Sequence, residues 1–367
     1  MPRHDLIVVG AGIVGLAHAL AAARRGKRVL VLERDARANG ASIRNFGFVT
    51  VTGQARGRVW ALARRSAEIW REIAPSAGIA IEQQGLLLAA ERPEAIAVVD
   101  AFHATEMGQD CLRLGPAALA EQWPMLRNAR AALWSPHDLR VDSPLAMPRL
   151  ARWLGQAWPV ELSYGVTVHA VETGRVLSTC GAHEADAVIV CPGDDGSGLF
   201  PGLLTDVTRC KLQMLRLAAP GWRLPSPVMS DLSMVRYLGY AALDEARALH
   251  ARLREDAADT LANGVHLIVV QGADGSLVVG DSHDYAATPD PFLSAEIERL
   301  ILEAFARILG PPPPVLARWT GTYASGAEHS LVRAPADRVR LVVVTSGTGA
   351  STAFALAEEV IDDLFGR

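Results

Sequence analysis

The sequence predicts an α/β chain in which a parallel-sheet domain, assembled from separated segments, is interrupted by a strand-rich α+β insert. Three observations carry this. The chain opens on an apolar strand, a glycine triplet, a small-residue helix and a second apolar strand, in the order of a βαβ unit. Two further strand-and-glycine turns stand far downstream, at 186–193 and 341–349, so the pieces that complete the first sheet are distant in sequence. The stretch 209–325 instead holds short strands and hairpin turns.

The first unit is "DLIVVGAGIVGLAHALAAARRGKRVLVLERD". A buried-strand run at 6–9 meets Gly10-x-Gly12-x-x-Gly15, then a helix to about Arg25, a turn at Gly26 and a strand at 29–32 closed by Glu33. Gly10 permits the tight turn, Gly12 lets backbone approach a pyrophosphate, and Gly15 lets the helix lie close to the strand. The helix N-terminus offers free N–H groups to phosphate. Glu33 is placed to accept hydrogen bonds from a ribose 2′-OH. This defines a Rossmann-type dinucleotide site, without choosing between NAD and FAD. It also reassigns residues 6–23, which by hydropathy alone read as a leader or a marginal membrane span, His18 being their only polar side chain.

Downstream, residues 85–135 hold a short strand at 86–90 and two helical stretches punctuated by Pro93, Pro116 and Pro124. In 209–325 the strand candidates are "CKLQMLRLA", "SMVRYLGYA", "GVHLIVVQ" and "SLVVGDS", the last two joined by the turn "QGADGS". A helix is expected over 293–309, with Ile297, Leu300, Ile301, Ala304, Phe305 and Ile308 at helical spacing. It ends at Gly310, and the tetraproline 311–314 reads as a stiff connector.

The totals fit a two-domain globular chain. Its 367 residues are 50% hydrophobic, enough for a large core. With 36 basic against 40 acidic residues the net charge is −4, and neither nucleic acid nor membrane is an expected partner. The four cysteines, Cys111, Cys180, Cys191 and Cys210, show no CxxC spacing, which speaks against a disulfide framework or zinc site and fits a reducing cytoplasm. The ten histidines show no HxxxH pair with a neighbouring carboxylate, so no metal site is expected. GxSxG is absent, and Ser282 and His283, adjacent on a strand, would point to opposite faces, which rejects hydrolysis.

The segment "GASIRNFGFV" at 40–49 follows where a nicotinamide enzyme would run into another crossover helix. Here the sequence resembles the D-amino-acid oxidase/glycine oxidase family of flavoenzymes. The resemblance extends through "SPHDLRVDSPLAMPRLARWL" (135–154), "VTVHAVE" (166–172), "ADAVIVCPGDDGSGLF" (185–200) and "RLVVVTSGTGASTAFALAEEVIDDL" (340–364). It implies a glycine oxidase-like fold, with an FAD domain from 1–84, 136–208 and 326–367 and an antiparallel substrate domain from 85–135 and 209–325. It implies an FAD cradle of Gly10, Gly12, Ile13, Val14, Gly15, Glu33, Arg34, Ala41, Ser42, Asn45, Thr167, Val168, Cys191, Pro192 and Gly193, completed by Ser346, Gly347, Thr348, Gly349, Ala350, Ser351 and Thr352. The last helix would present its positive end to the flavin. Family attachment positions for the flavin hold neither Cys nor His, so FAD is expected to be non-covalent.

For recognition, the basic and aromatic candidates are Arg44, Lys211, Gln213, Arg216, Arg236, Tyr237, Tyr240, Gln271, His283, Tyr285, Trp319, Tyr323, His329 and Arg333. Alternation puts Lys211, Gln213 and Leu215 on one face, and Asp281, His283 and Tyr285 on another. The preferred set is Arg44, Lys211, Arg236, Tyr237, His283 and Tyr323. Arg44 balances the cofactor's phosphates, the substrate's anion or a structural carboxylate, and Asn45 fixes its loop. "GASIRNFG", "GDSH-Y" and "W-G-Y" (Trp319, Gly321, Tyr323) further resemble the subgroup linked to aminophosphonate breakdown. In its last glycine loop the chain departs from the pattern of that subgroup at Ser346, where glycine is expected, and at Ala350, where a bulkier residue is. The implied activity is oxidation of a small anionic amine, with oxygen or another acceptor taking the electrons. A glycine, sarcosine or D-amino-acid oxidase and a dehydrogenase are alternatives. A monooxygenase is disfavoured by the lack of a second GxGxxG, and a non-catalytic scaffold by the basic and aromatic insert residues. Homo-oligomerisation is left open.

Overall fold

The computed structural model describes residues 4–366. The opening unit forms as its sequence dictates: strand His4–Val9, helix Ile13–Ala23 and strand Val29–Glu33. Five parallel strands build the first sheet, in the order Val160–Tyr164, Val29–Glu33, His4–Val9, Gly181–Val190 and Val339–Ser346. Alternate residues of the first strand enter different cores, Leu6 and Val8 on one face and Ile7 on the other, so the sheet is covered on both sides. Helices Ile13–Ala23, Arg58–Ile73 and Gly349–Phe365 cover one face, where Trp70 meets Phe354 edge-on at 5.1 Å. An antiparallel layer of Val168–Glu172, Arg175–Ser178 and the start of Gly181–Val190 covers the other.

The second sheet is mostly antiparallel. It runs from Val315–Ala336 through Thr208–Leu217, Leu277–Gly280, Ile268–Gln271 and Val228–Met229 to Ile81–Ala90 and Ala131–Val141. Only the pairing of Val228–Met229 with Ile81–Ala90 is parallel. The hairpin at 271–277 closes as expected, with Gly272 N–H donating to Ser276 O at 2.9 Å. The helix Ala295–Leu309 starts at Ser294, whose hydroxyl caps the Ile297 N–H, and stops at Gly310 with φ 79°. It packs Ile301 and Phe305 onto the sheet.

One expected strand is absent. The "SMVRYLGYA" stretch is a 3₁₀ turn, Asp231–Val235, followed by the short helix Leu238–Ala241. Gly239 packs directly on another loop: its N–H donates to Gly53 O at 2.8 Å, and a Cβ there would lie 2.5 Å from Gln54 O. That contact holds the segment in a turn and places Arg236 and Tyr237 over the cleft between the sheets. The expected boundaries at 84/85, 135/136 and 325/326 each fall inside a strand, because Ile81–Ala90, Ala131–Val141 and Val315–Ala336 run through them unbroken. No helix among the described residues is long and apolar enough to cross a membrane.

Candidate functional site

A cavity of about 1040 Å³ lies between the two sheets, at the upper bound of ordinary small-molecule pockets. Its two ends are built differently. At the first, Gly10 (φ 103°) turns the chain so closely under Cys191 that a Cβ would lie 2.5 Å from the Cys191 carbonyl. A Cβ on Gly15 would overlap Gly10 O. Helix Ile13–Ala23 begins here without a side-chain cap at Gly12 and without acid in its first turn, leaving its positive end for an anion. Glu33 accepts the Ala11 N–H at 2.7 Å and the Asp35 N–H at 2.9 Å. Arg34 is paired to Asp195 at 2.8 Å, so it is not free to balance a phosphate.

The 40–49 segment wraps this end. Ser42 Oγ accepts the Ile13 N–H at 2.9 Å, tying the loop to the helix start. Asn45 fixes the loop as expected, donating to Ala41 O and accepting the Gly47 N–H, both at 2.6 Å. Trp319 Nε1 donates to Arg44 O at 3.2 Å, and Gly321 leaves room for the Arg44 backbone, where a Cβ would lie 3.0 Å from its oxygen. The Arg44 side chain has only a 3.2 Å contact to Asn39 and makes no ion pair among the described residues, which removes the structural-carboxylate role. All the expected cradle residues line the cavity except Thr352. Its hydroxyl turns back to Thr348 O at 3.0 Å inside helix Gly349–Phe365. That helix also starts uncapped and without an acid in its first turn.

At the other end stand Arg236, Tyr237, His283, Tyr285 and Tyr323. Of the six preferred recognition residues, five meet in the cavity. Lys211 does not: strand alternation turns Leu212 to the cavity and Lys211 away from it, where its ammonium binds Asp290 at 3.0 Å. Its partners on that face follow it, Gln213 bonding Ser294 and Leu215 entering the core. Arg216 pairs with Asp274, Gln271 ties turn backbone at Gly275, Tyr240 is buried under Gly53, and Arg333 pairs with Glu328. His329 and Tyr285 do line the cavity, His329 bonding Thr348 Oγ1 at 2.9 Å.

Arg236 donates to Tyr285 Oη at 2.8 Å and makes no ion pair among the described residues. Burial pushes the Tyr237 and Tyr323 hydroxyls above the ordinary tyrosine range, so both stay protonated donors. Burial lowers His283 to about 3, outweighing the Asp281 carboxylate beside it, and the ring is neutral near pH 7. Burial raises the Asp281 carboxyl, but His283, His266 and Arg236 outweigh it and hold the group below its usual range. The group that sequence reasoning missed is His266 with Asp281: their ligand atoms and that of His283 lie within 4.8 Å of one another. The alternation of 281–285 put Asp281 and His283 on one face, but nothing in linear spacing points to His266, seventeen residues before His283 and just ahead of strand Ile268–Gln271.

A Rossmann-type unit, two uncapped helix starts and a cleft shared with an antiparallel sheet define a dinucleotide-dependent oxidoreductase. The residues fit FAD on geometric grounds, since the glycine cradle admits backbone contact to a pyrophosphate and the cavity continues well past it. The chain belongs to the FAD dependent oxidoreductase family, whose sequence profile matches residues 5–362. No sequence among the curated proteins matches it. Among solved structures it is similar to glycine oxidase from Geobacillus kaustophilus, with 20% identity and TM-score 0.77 over 99% of this chain and 94% of that one. L-proline dehydrogenase from P. horikoshii is 19% identical at TM-score 0.80, covering 100% and 94% of the two chains. Iminodiacetate oxidase from Chelativorans sp. BNC1 is 18% identical at TM-score 0.75, covering 99% and 95%. At these identities the likeness establishes the fold, which is the glycine oxidase-like fold the sequence predicts.

Proposed function

We propose that the protein oxidises a small anionic amine, an amino acid or an aminophosphonate such as a 2-aminoethylphosphonate derivative, to an imine that water converts to an aldehyde or keto acid. The observation that carries this is the presence of two arginines, Arg44 and Arg236, that line one cavity and make no ion pair among the described residues. Cations that line a cavity without an ion pair call for an anion, and a phosphonate with up to two charges suits guanidinium donors. The resemblances at "GASIRNFG", "GDSH-Y" and "W-G-Y" support the aminophosphonate class, and the glycine and iminodiacetate oxidases of like fold act on small anionic amines by name.

Bound FAD supplies the acceptor for the hydride of the carbon next to nitrogen. The chain's residues bind and orient the substrate and exclude water. A free alkylamine titrates near 10, so its neutral form at pH 7 costs roughly 4 kcal/mol, which desolvation among Tyr237, Tyr323 and Leu212 and the nearby guanidinium groups reduce. FAD is held without a covalent bond, and oxygen takes the electrons to give H₂O₂. Cys191, the one cysteine lining the cavity, is pushed up by burial and is a poor nucleophile. The first sheet with its helices forms the FAD domain, and the second sheet the substrate domain.

A substrate panel tests this reading. Anaerobic reduction of the flavin by 2-aminoethylphosphonate, its N-methyl form, glycine and sarcosine should outpace reduction by a plain alkylamine, and best turnover on the alkylamine would sink it. Arg44→Ala should lower kcat/KM for the anionic amine by the equivalent of about 2–5 kcal/mol, with FAD content near normal. An apo-protein would assign Arg44 to the pyrophosphate. Acid denaturation of the wild type should release all flavin into the supernatant.

A further inference from the structure

The neutral His283 ring is held by a hydrogen bond that also fixes where its lone pair points. Nδ1 lies 2.9 Å from Gly264 O, and a carbonyl only accepts, so Nδ1 carries the hydrogen. Nε2 is then an acceptor, and it lies 3.7 Å from Asp281 Oδ2, another acceptor, with no donor between them. His266 Nε2 comes to 3.0 Å from Asp281 Oδ1, which is buried and has no hydrogen-bond partner of good geometry among the described residues. A buried acceptor left in this state is costly, and Asp281 and His283 both line the cavity.

From this convergence of acceptors, we propose that Asp281 and His283 form the subsite that receives the protonated amine of the substrate, beside the Arg236 guanidinium that receives its anion. The inference rests on the reading of the cavity as an anionic-amine site and deepens it. An ammonium matches in hydrogen bonding, because the primary ammonium of 2-aminoethylphosphonate carries three N–H donors and a secondary one two, against two acceptors in the subsite; it is the form that binds, and its proton must leave before hydride transfer. It matches in charge as well. A divalent metal would add two positive charges beside Arg236 with a single carboxylate to balance them, whereas a zwitterion brings its own anion for the arginine. The subsite sits at the right end of the cavity. The His283 ring is 6.4 Å from that of Tyr323, and Tyr323 in turn lies against Gly347, where a Cβ would come 3.0 Å from its ring. One aromatic ring therefore separates the subsite from the glycine loop that starts the last helix.

The test uses the FAD-loaded enzyme and two probes that differ by the amine, 2-aminoethylphosphonate and ethylphosphonate. The Kd of ethylphosphonate is read from perturbation of the flavin absorbance, and that of the amine from the concentration dependence of anaerobic flavin reduction. The wild type should bind the amine about tenfold or more tightly than its amine-free counterpart, as one charge-assisted hydrogen bond provides. Asp281→Asn should remove about tenfold of that advantage while leaving the ethylphosphonate Kd within roughly threefold. If Asp281→Asn does not retain FAD, His283→Gln carries the same measurement. Equal weakening of both probes, or an unchanged ratio, overturns the subsite. A ratio that collapses in the wild type on treatment with a chelator assigns the three residues to a metal ion and overturns it too. If no anionic amine reduces or perturbs the wild-type flavin, this inference and the proposed function fall together. If the wild type is reduced but the variant ratio is unchanged, only the subsite falls.

Discussion

At one end of the cavity the working surface is backbone. Gly10, Gly12 and Gly15 bring carbonyls and N–H groups within reach of a ligand, and two helix starts supply the positive field. At the other end the surface is side chain: Arg236 and Tyr237 from a turn, His283 from the end of a hairpin strand, Tyr323 from a strand that neither of these touches in sequence. The core of the first end, Gly10 to Glu33, is contiguous in the chain, so its glycines are constrained one by one. The second is assembled from three separate segments, each of which also serves packing.

This contrast gives an order of expected effects. Gly10→Val should be the most damaging change, since it meets both a left-handed φ and the Cys191 carbonyl. The expected outcome is a protein purified without flavin, read from the ratio of visible to ultraviolet absorbance; normal flavin content would show that the cradle tolerates side chains and erase the contrast. Glu33→Ala should weaken FAD binding by about 1.5–3 kcal/mol through lost charge-assisted bonds to the ribose. The loss of support for the Ala11 and Asp35 N–H groups adds to it, and an unchanged Kd for FAD would place the adenosine elsewhere. Lys211→Ala should have the smallest effect. Its ammonium pairs with the exposed Asp290, away from the cavity, and kcat/KM should change less than about twofold. A large rise in KM would put Lys211 back among the residues that meet substrate.

The same contrast explains what could be read from the residues alone. The βαβ unit was legible because its glycines, helix and Glu33 follow one another within thirty residues and each has one mechanical use. Five of the six residues singled out for recognition line the cavity, Arg236, Tyr237, His283 and Tyr323 from the insert and Arg44 from the loop that follows the βαβ unit. Lys211 was misplaced because alternation gives the two faces of a strand but not which face meets the cavity, and here Leu212 does. The "SMVRYLGYA" stretch misled for a related reason: its apolar residues suit a strand, and the contact of Gly239 with Gly53 that bends it is made across 186 positions. His266 and Asp281 come together only once Ile268–Gln271 and Leu277–Gly280 pair, with their extensions bonded through the His266 N–H and Asp281 O.

The strand Val315–Ala336 pairs with Thr208–Leu217 over its first half and with Val339–Ser346 over its second. One strand therefore serves as a girder between the two sheets, its pairing broken by register shifts between Ser325 and Ser330 and between Arg333 and Ala336. Many two-part enzymes open like a clamshell about a flexible joint, but a girder of this kind leaves no joint on its side of the cleft. The short Leu238–Ala241 helix, whose Leu238 stands exposed, borders the cavity at the cleft. Hydrogen exchange should be slow along the paired stretches of the girder and faster at 326–329, where its pairing is interrupted.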